Sequence, residues 1–183
     1  MPETLVPIDV AGRSIAEVAE AIAARRFPPV EQWHPSHCGS SDMRIARDGS
    51  WFHQGAPIGR EALVRQFSRI LRREPDGSFV LVTPGEKLSI EVELAPLVAT
   101  SMVTEGAGRE RRIAFGINSG DAVVLGPGHE LRLQDGAPLV HVRSGLNAIL
   151  ARPVYYELAE VALAEDPAQP GVWSDGLFFP LQA

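Results

Sequence analysis

Apolar residues recur along this chain at two spacings, and each change of spacing marks a new element. Ile15, Val18, Ala19 and Ile22 fall on one helical face. Ser14 and Glu17 form a capping box before them and Phe27-Pro28-Pro29 ends the run, so a helix is predicted over 14–26. Leu63, Val64, Phe67, Ile70 and Leu71 predict a second helix over 60–73. A third, over 153–164, has Pro153 in its first turn. Elsewhere the period falls to two. Strands are predicted over 43–47 and 51–54, joined by Asp48-Gly49-Ser50, and over 79–83. Others follow at Leu88, Ile90 and Val92, over 97–104, at Ile113, Phe115 and Ile117, and over 122–125, 131–134, 139–142 and 177–181. Residues 31–41 read as a loop carrying Trp33, His34, His37 and Cys38.

The punctuation repeats. Strand, Asp48-Gly49, strand, Arg60, helix, Asp76-Gly77, strand, Pro84 is echoed by strand, Asp135-Gly136, strand, Arg152, helix, Asp175-Gly176, strand, Pro180. Ile58-x-Arg60 matches Leu150-x-Arg152 at the start of each helix. The fold class expected is α+β, with two related sheet-plus-helix units from an internal duplication. The C-terminal one is a pleckstrin-homology-like bent sheet with a closing helix, about seven strands and a helix between Phe79 and Ala164. The parts expected are an N-terminal helix and linker (1–30), an α+β unit (31–94) and the pleckstrin-like unit (95–183).

Composition narrows the partners. Gly and Pro total 32 of 183 residues, against a usual share of roughly 12%. Many tight turns follow, which suits a strand-rich chain. The net charge of −6 is spread over both halves, with 11 basic against 13 acidic residues up to 95 and 6 against 10 beyond. No basic patch is set up for duplex nucleic acid or an anionic membrane. One cysteine, Cys38, forbids an intramolecular disulfide. No stretch approaches the roughly 18 apolar residues of a membrane span, and the acidic start, Met1–Asp9, does not read as a signal peptide. The expected location is cytoplasmic.

The chain has 16 arginines and one lysine, Lys87. Codon usage in a GC-rich genome produces such a bias. A lysine retained against it points to a place where a compact, movable ammonium serves better than a guanidinium fork.

The residues also carry a resemblance. Cys38-Gly39, Asp42-Met43-Arg44-Ile45, Asp48-Gly49-x-Trp51, Gly55-x-Pro57-Ile58-x-Arg60, Leu63-Val64 and Thr83-Pro84-x-Glu86-Lys87 together resemble the bacterial family catalogued as domain of unknown function 1285. The likeness continues through Asn118-x-Gly120-Asp121, Gly126-Pro127, Arg143-x-Gly145-Leu146 and Tyr156-Glu157-Leu158. The resemblance implies a two-part α+β fold with a repeated motif, no established enzymatic activity, a ligand site between the parts for a nucleotide-like molecule, and a role in signalling. Ser40 and Leu94 depart from the acidic residues expected there, so no polar role is assigned to either.

Several side chains suit an anionic ligand. At Arg60 a guanidinium stands at a helix N-terminus, where free N–H groups and the positive dipole end meet, after the permissive Gly59. Glu61 and Glu74 could instead neutralise it. Arg152 is expected to occupy the equivalent position of the second copy. Lys87 would pair with the anion, Glu86, Asn118 or Asp121 would hold hydroxyls, and Trp51, sharing a strand side with His53, would stack on the flat part. A tryptophan in a sheet core is the commoner fate. Arg65, Arg69 and Arg72 are expected as a solvated helix stripe. His34-x-x-His37-Cys38 matches no standard metal spacing, and neither metal nor cofactor is expected.

The expectation is non-enzymatic binding or sensing of a small anionic ligand in the cleft between the units. The alternatives are a hydrolase with Glu86 or His53 as base, and a module binding a protein partner through its open sheet.

Overall fold

A computed structural model describes residues 6–182; Ala183 and the Met1–Leu5 part of the acidic start lie outside them. Helix α1 (Ile15–Ala23) begins at Ser14, whose Oγ accepts the Glu17 N–H at 3.1 Å. The Ile15 N–H is satisfied by the Glu105 carboxylate at 2.7 Å. Its buried face, Ile15 and Val18, packs with Ile8, Val10, Ala114 and Ala122.

The first sheet contains β1 (Cys38–Ile45), β2 (Trp51–His53), β3 (Ala56–Pro57), β4 (Leu71–Arg73), β5 (Phe79–Val82) and β6 (Lys87–Val92), in the order β3-β2-β1-β6-β5-β4. Helix α2 (Glu61–Arg69) joins its two edges. The second sheet contains β7 (Leu97–Glu105), β8 (Arg112–Ile117), β9 (Ala122–Val124), β10 (Leu131–Gln134), β11 (Ala137–Arg143) and β12 (Leu146–Leu150), in the order β10-β11-β12-β7-β8-β9. Read from β9, that is the order of the first sheet. Each is a pair of three-stranded antiparallel meanders, joined where the first and sixth strands run parallel. In the second sheet only residues 125–130 link the two edges, and the Gly126–His129 bridge folds them back. So short a link reaches both edges only because the sheet curls. Helix α3 (Arg152–Glu165) and the hairpin β13 (Gly171–Ser174) and β14 (Leu177–Pro180) follow.

Several expectations need correcting. The second helix ends at Arg69. Leu71 pairs with Leu81 and is wholly buried, so 71–73 form a strand despite the helical spacing of Ile70 and Leu71. Cys38–Ser41 are not loop but the start of β1, where Cys38, Gly39 and Ser40 pair in parallel with β6; backbone pairing there needs no apolar side chain. The strands from Phe79 to Val92 belong to the first sheet, leaving six in the second.

The Asp-Gly echo matches meander, helix and hairpin in both places, β1–β3, α2, β4–β5 against β10–β12, α3, β13–β14. The sheet order matches the two units differently, β1 with β7, and the final hairpin forms a sheet of its own. The two sheets nevertheless share one core, in which Ile45, Trp51, Leu71 and Leu81 meet Leu97, Phe115 and Leu150. The result is an α+β chain of two sheet-based units.

Candidate functional site

Lys87 opens β6. Its N–H donates to the His37 carbonyl at 2.9 Å, and its neighbours across the sheet are Val82 and Cys38. The pairing directs the chain's one lysine towards Glu74, whose Oε1 lies 3.8 Å from Nζ. The same oxygen accepts from Arg72 Nη2 at 2.8 Å. Arg72 is otherwise committed: Nη1 donates to the carbonyls of Val30 and Trp33 at 2.7 Å each. This anchors the segment before β1 to β4.

A cleft of about 350 Å³ opens here, walled by Glu31, His34, Arg73, Glu74 and Lys87 of the first unit and Ser144 of the second. Ser144 sits at φ 47° in a left-handed turn, and Arg73 Nη1 donates to the next carbonyl, Gly145, at 3.4 Å. Contact between the units therefore bounds the cleft on the Ser144 side. Arg72, Arg73 and Lys87 outnumber Glu31 and Glu74, which leaves the wall cationic. Lys87 is about one-third exposed, so its ammonium reaches solvent.

A second cavity, of about 300 Å³, also spans the units. Trp51, Ile58, Gly59, Glu61 and Val64 face Asn118 across it. Trp51 is 2% exposed and stacks on Phe67 with ring centroids 6.2 Å apart, so it is a core residue with no face left for a base. Its Nε1–H is buried without an acceptor among the described residues. Asn118 turns its Oδ1 to the Val98 N–H at 2.9 Å, which leaves its amide N–H₂ for other partners. Arg60 is the exposed N-cap of α2 and stands at the margin, where its neighbours Gly59 and Glu61 form the wall. Asp48, in the adjoining turn, has its pKa lowered chiefly by the Ser50 N–H it accepts.

The remaining candidates lie apart. Glu86 is exposed in the Thr83–Glu86 turn, held by its N–H to Thr83 Oγ1 at 3.2 Å. His53 is exposed at the end of β2. Arg152 is the exposed first residue of α3, following the N-cap Ala151, and so is not at the position Arg60 occupies. Asp121 is 5% exposed and bound to Arg25 Nε at 2.9 Å and Ser119 Oγ at 2.6 Å. The structure thus brings Trp51 and Asn118 together, with Arg60 beside them, and puts Lys87 in a different cleft. Of the arginine stripe, Arg72 is not on α2 at all. Arg73 and Ser144 were not among the sequence candidates. A strand reading of Leu71-Arg72-Arg73, with period two, would have separated the two arginines by face. Among the described residues no group of three or more His, Cys, Asp or Glu side chains is placed to hold a metal ion. None of their helices is long and apolar enough to cross a membrane.

Comparison with known proteins assigns the chain. Residues 28–95 match the model of the domain of unknown function (DUF1285), N-terminal domain, and residues 96–181 that of its C-terminal domain. The crystal structure of a DUF1285 family protein from Silicibacter pomeroyi DSS-3 is 42% identical, with a TM-score of 0.77 over 94% of this chain and 97% of that one. One from Shewanella baltica OS155 is 24% identical, with a TM-score of 0.50 over 64% of this chain and 90% of that one, and is similar in fold. No curated protein matches. With the two domain models together matching residues 28–181 and a relative 42% identical over nearly its whole length, the chain belongs to the DUF1285 family.

Proposed function

We propose that this protein binds a small anionic ligand, without turning it over, in the cleft between its two units at Lys87. The observation that carries this reading is the excess of cations on the wall. Arg72, Arg73 and Lys87 face only Glu31 and Glu74, and Lys87 holds its carboxylate at 3.8 Å, too far for a good hydrogen bond. Its ammonium can exchange that weak pair for a phosphate or carboxylate at little cost. A volume of about 350 Å³ suits a nucleotide-like molecule. Ser144 would reach it from the second unit, so occupancy would stiffen the contact between units and give the protein a basis for sensing.

The duplication reading draws support from the identical strand order of the sheets, and the pleckstrin-like one from the curled sheet followed by α3. The hydrolase reading has less support, because Glu86 and His53 are exposed and line neither inter-unit cavity.

A thermal-shift screen against mono-, di- and cyclic nucleotides and sugar phosphates tests the proposal. A ligand at 100 times its dissociation constant raises stability by about 2.7 kcal/mol. The shift should vanish in Lys87→Ala and persist in Arg60→Ala. A flat screen would sink the proposal.

A further inference from the structure

Asp121 lies at the centre of a buried charge cluster and lines a cavity other than the Lys87 cleft. Its Oδ1 accepts from Arg25 Nε at 2.9 Å, and its Oδ2 is 3.8 Å from Arg143 Nε. The Arg25 and Asp121 side chains are each 7% exposed. Arg143 donates Nη2 to the Ser68 carbonyl at 2.9 Å and lies over the Phe27 ring at 4.4 Å, yet its buried Nε–H has no acceptor among the described residues. Two guanidinium groups therefore share one carboxylate. Farther out, Glu31 and Arg69 act on Arg143 with opposite signs. Burial pulls the Arg143 pKa down from its usual value, and Asp121 offsets this only in part. A buried positive charge without full compensation is costly, and a bound anion relieves that cost.

Beside these groups is a cavity of about 190 Å³. Its other walls are the apolar side chains of Ile8, Ile22 and Phe27 of the N-terminal segment and Ala122, Val123 and Val142 of the second sheet, with one polar ring, His129, whose Nδ1 is 3.1 Å from the His141 carbonyl oxygen. The volume is that of about six waters, too small for a nucleotide. Of the charged groups that line the cavity, two guanidinium groups and one carboxylate leave a single positive charge, which matches a monoanion. The apolar walls match a short hydrocarbon body and disfavour a strongly hydrated phosphate.

We infer that the cavity between α1 and the β9–β11 side of the second sheet is a separate binding site for a small monocarboxylate, whose carboxylate meets the Arg25 and Arg143 guanidinium groups that line it and whose alkyl part fills the space under Ile22 and Phe27. Binding there would join the N-terminal segment to the second unit. It would do so through the ligand as well as through the Arg25–Asp121 pair.

Titration of the full chain with butyrate, 1-butanol and inorganic phosphate tests this site. The readout is the Arg143 Nε–Hε signal in the nitrogen–proton NMR spectrum, assigned by its loss in Arg143→Lys. Butyrate should move the signal saturably, while butanol and phosphate should not. Ile22→Trp fills the cavity from its half-buried helical wall and should weaken butyrate by about tenfold or more. Lys87→Ala should leave the butyrate response unchanged, so this site and the Lys87 cleft stand or fall separately. If butyrate gives no saturable shift, there is no such site. Equal binding of butanol would remove the role of the charge, and binding of phosphate in place of butyrate would overturn the carboxylate assignment. Should Ile22→Trp fail to fold, the three titrations of the unaltered chain still decide.

Discussion

Val98 and Asn118 exchange two hydrogen bonds: the Asn118 N–H donates to the Val98 carbonyl at 2.8 Å, and the Val98 N–H donates to Asn118 Oδ1 at 2.9 Å. The side chain thus stands in for a backbone partner beside the irregular register at Ala99/Ser101 of the β7–β8 pair. Val98 is also where the first unit presses on the second, through Gly49. Asn118→Ala would leave a buried N–H without an acceptor and should lower stability by about 1–3 kcal/mol. Asn118→Asp keeps the acceptor and should lose less. Urea unfolding of both variants measures the difference.

Gly49 has φ 89°, and a Cβ built there would lie 2.0 Å from Val98 Cγ2. Gly49→Ala therefore suffers backbone strain and overpacking together, a loss of about 1–3 kcal/mol from each. Val98→Ala should recover the packing part only. A double-mutant cycle in which the two losses simply added would show that this contact does not limit the approach of the units.

Asp121→Asn removes the counter-charge of two mostly buried arginines. Breaking a buried pair by deleting one partner costs about 3–5 kcal/mol. Thermal unfolding should fall accordingly, and a change below about 1 kcal/mol would mean that water screens the cluster.

Glu165 provides a pH prediction. Its carboxylate accepts from Arg111 Nε at 3.1 Å and from the Gly108 N–H at 2.9 Å. The Arg111 hydrogen bond is the main cause of its lowered pKa; burial opposes it. Since the folded-state value lies below the unfolded one, its stabilising contribution is full above the unfolded pKa. It is lost as pH falls through the folded pKa. Glu165→Gln should be less stable than the parent at neutral pH, and the gap should close on acidification. A gap that did not depend on pH would exclude the linkage.

Three helices, most strands and the strand-rich α+β class were legible because they rest on local signals: helical spacing in Leu63, Val64 and Phe67, alternation in Leu88, Ile90 and Val92, and Asp-Gly turns. The boundary at Arg69 was not. Ile70 and Leu71 continue the helical pattern, and only the pairing of Leu71 with Leu81 makes the segment a strand. The candidate site was legible in parts. Lys87 stood out by its scarcity and Asn118 and Asp121 by their turn, but their surroundings did not.

By itself the sequence determined where the chain turns, which faces are apolar, and which side chains bear charge, since each depends on residues a few positions apart. Tertiary structure alone decided that β1 lies beside β6 and β7 beside β12, bringing distant segments into parallel pairing. It alone set Lys87 opposite Ser144, sealed Trp51 against Phe67, and closed two arginines over Asp121. Those relations depend on how two sheets share one core, and no local spacing encodes that.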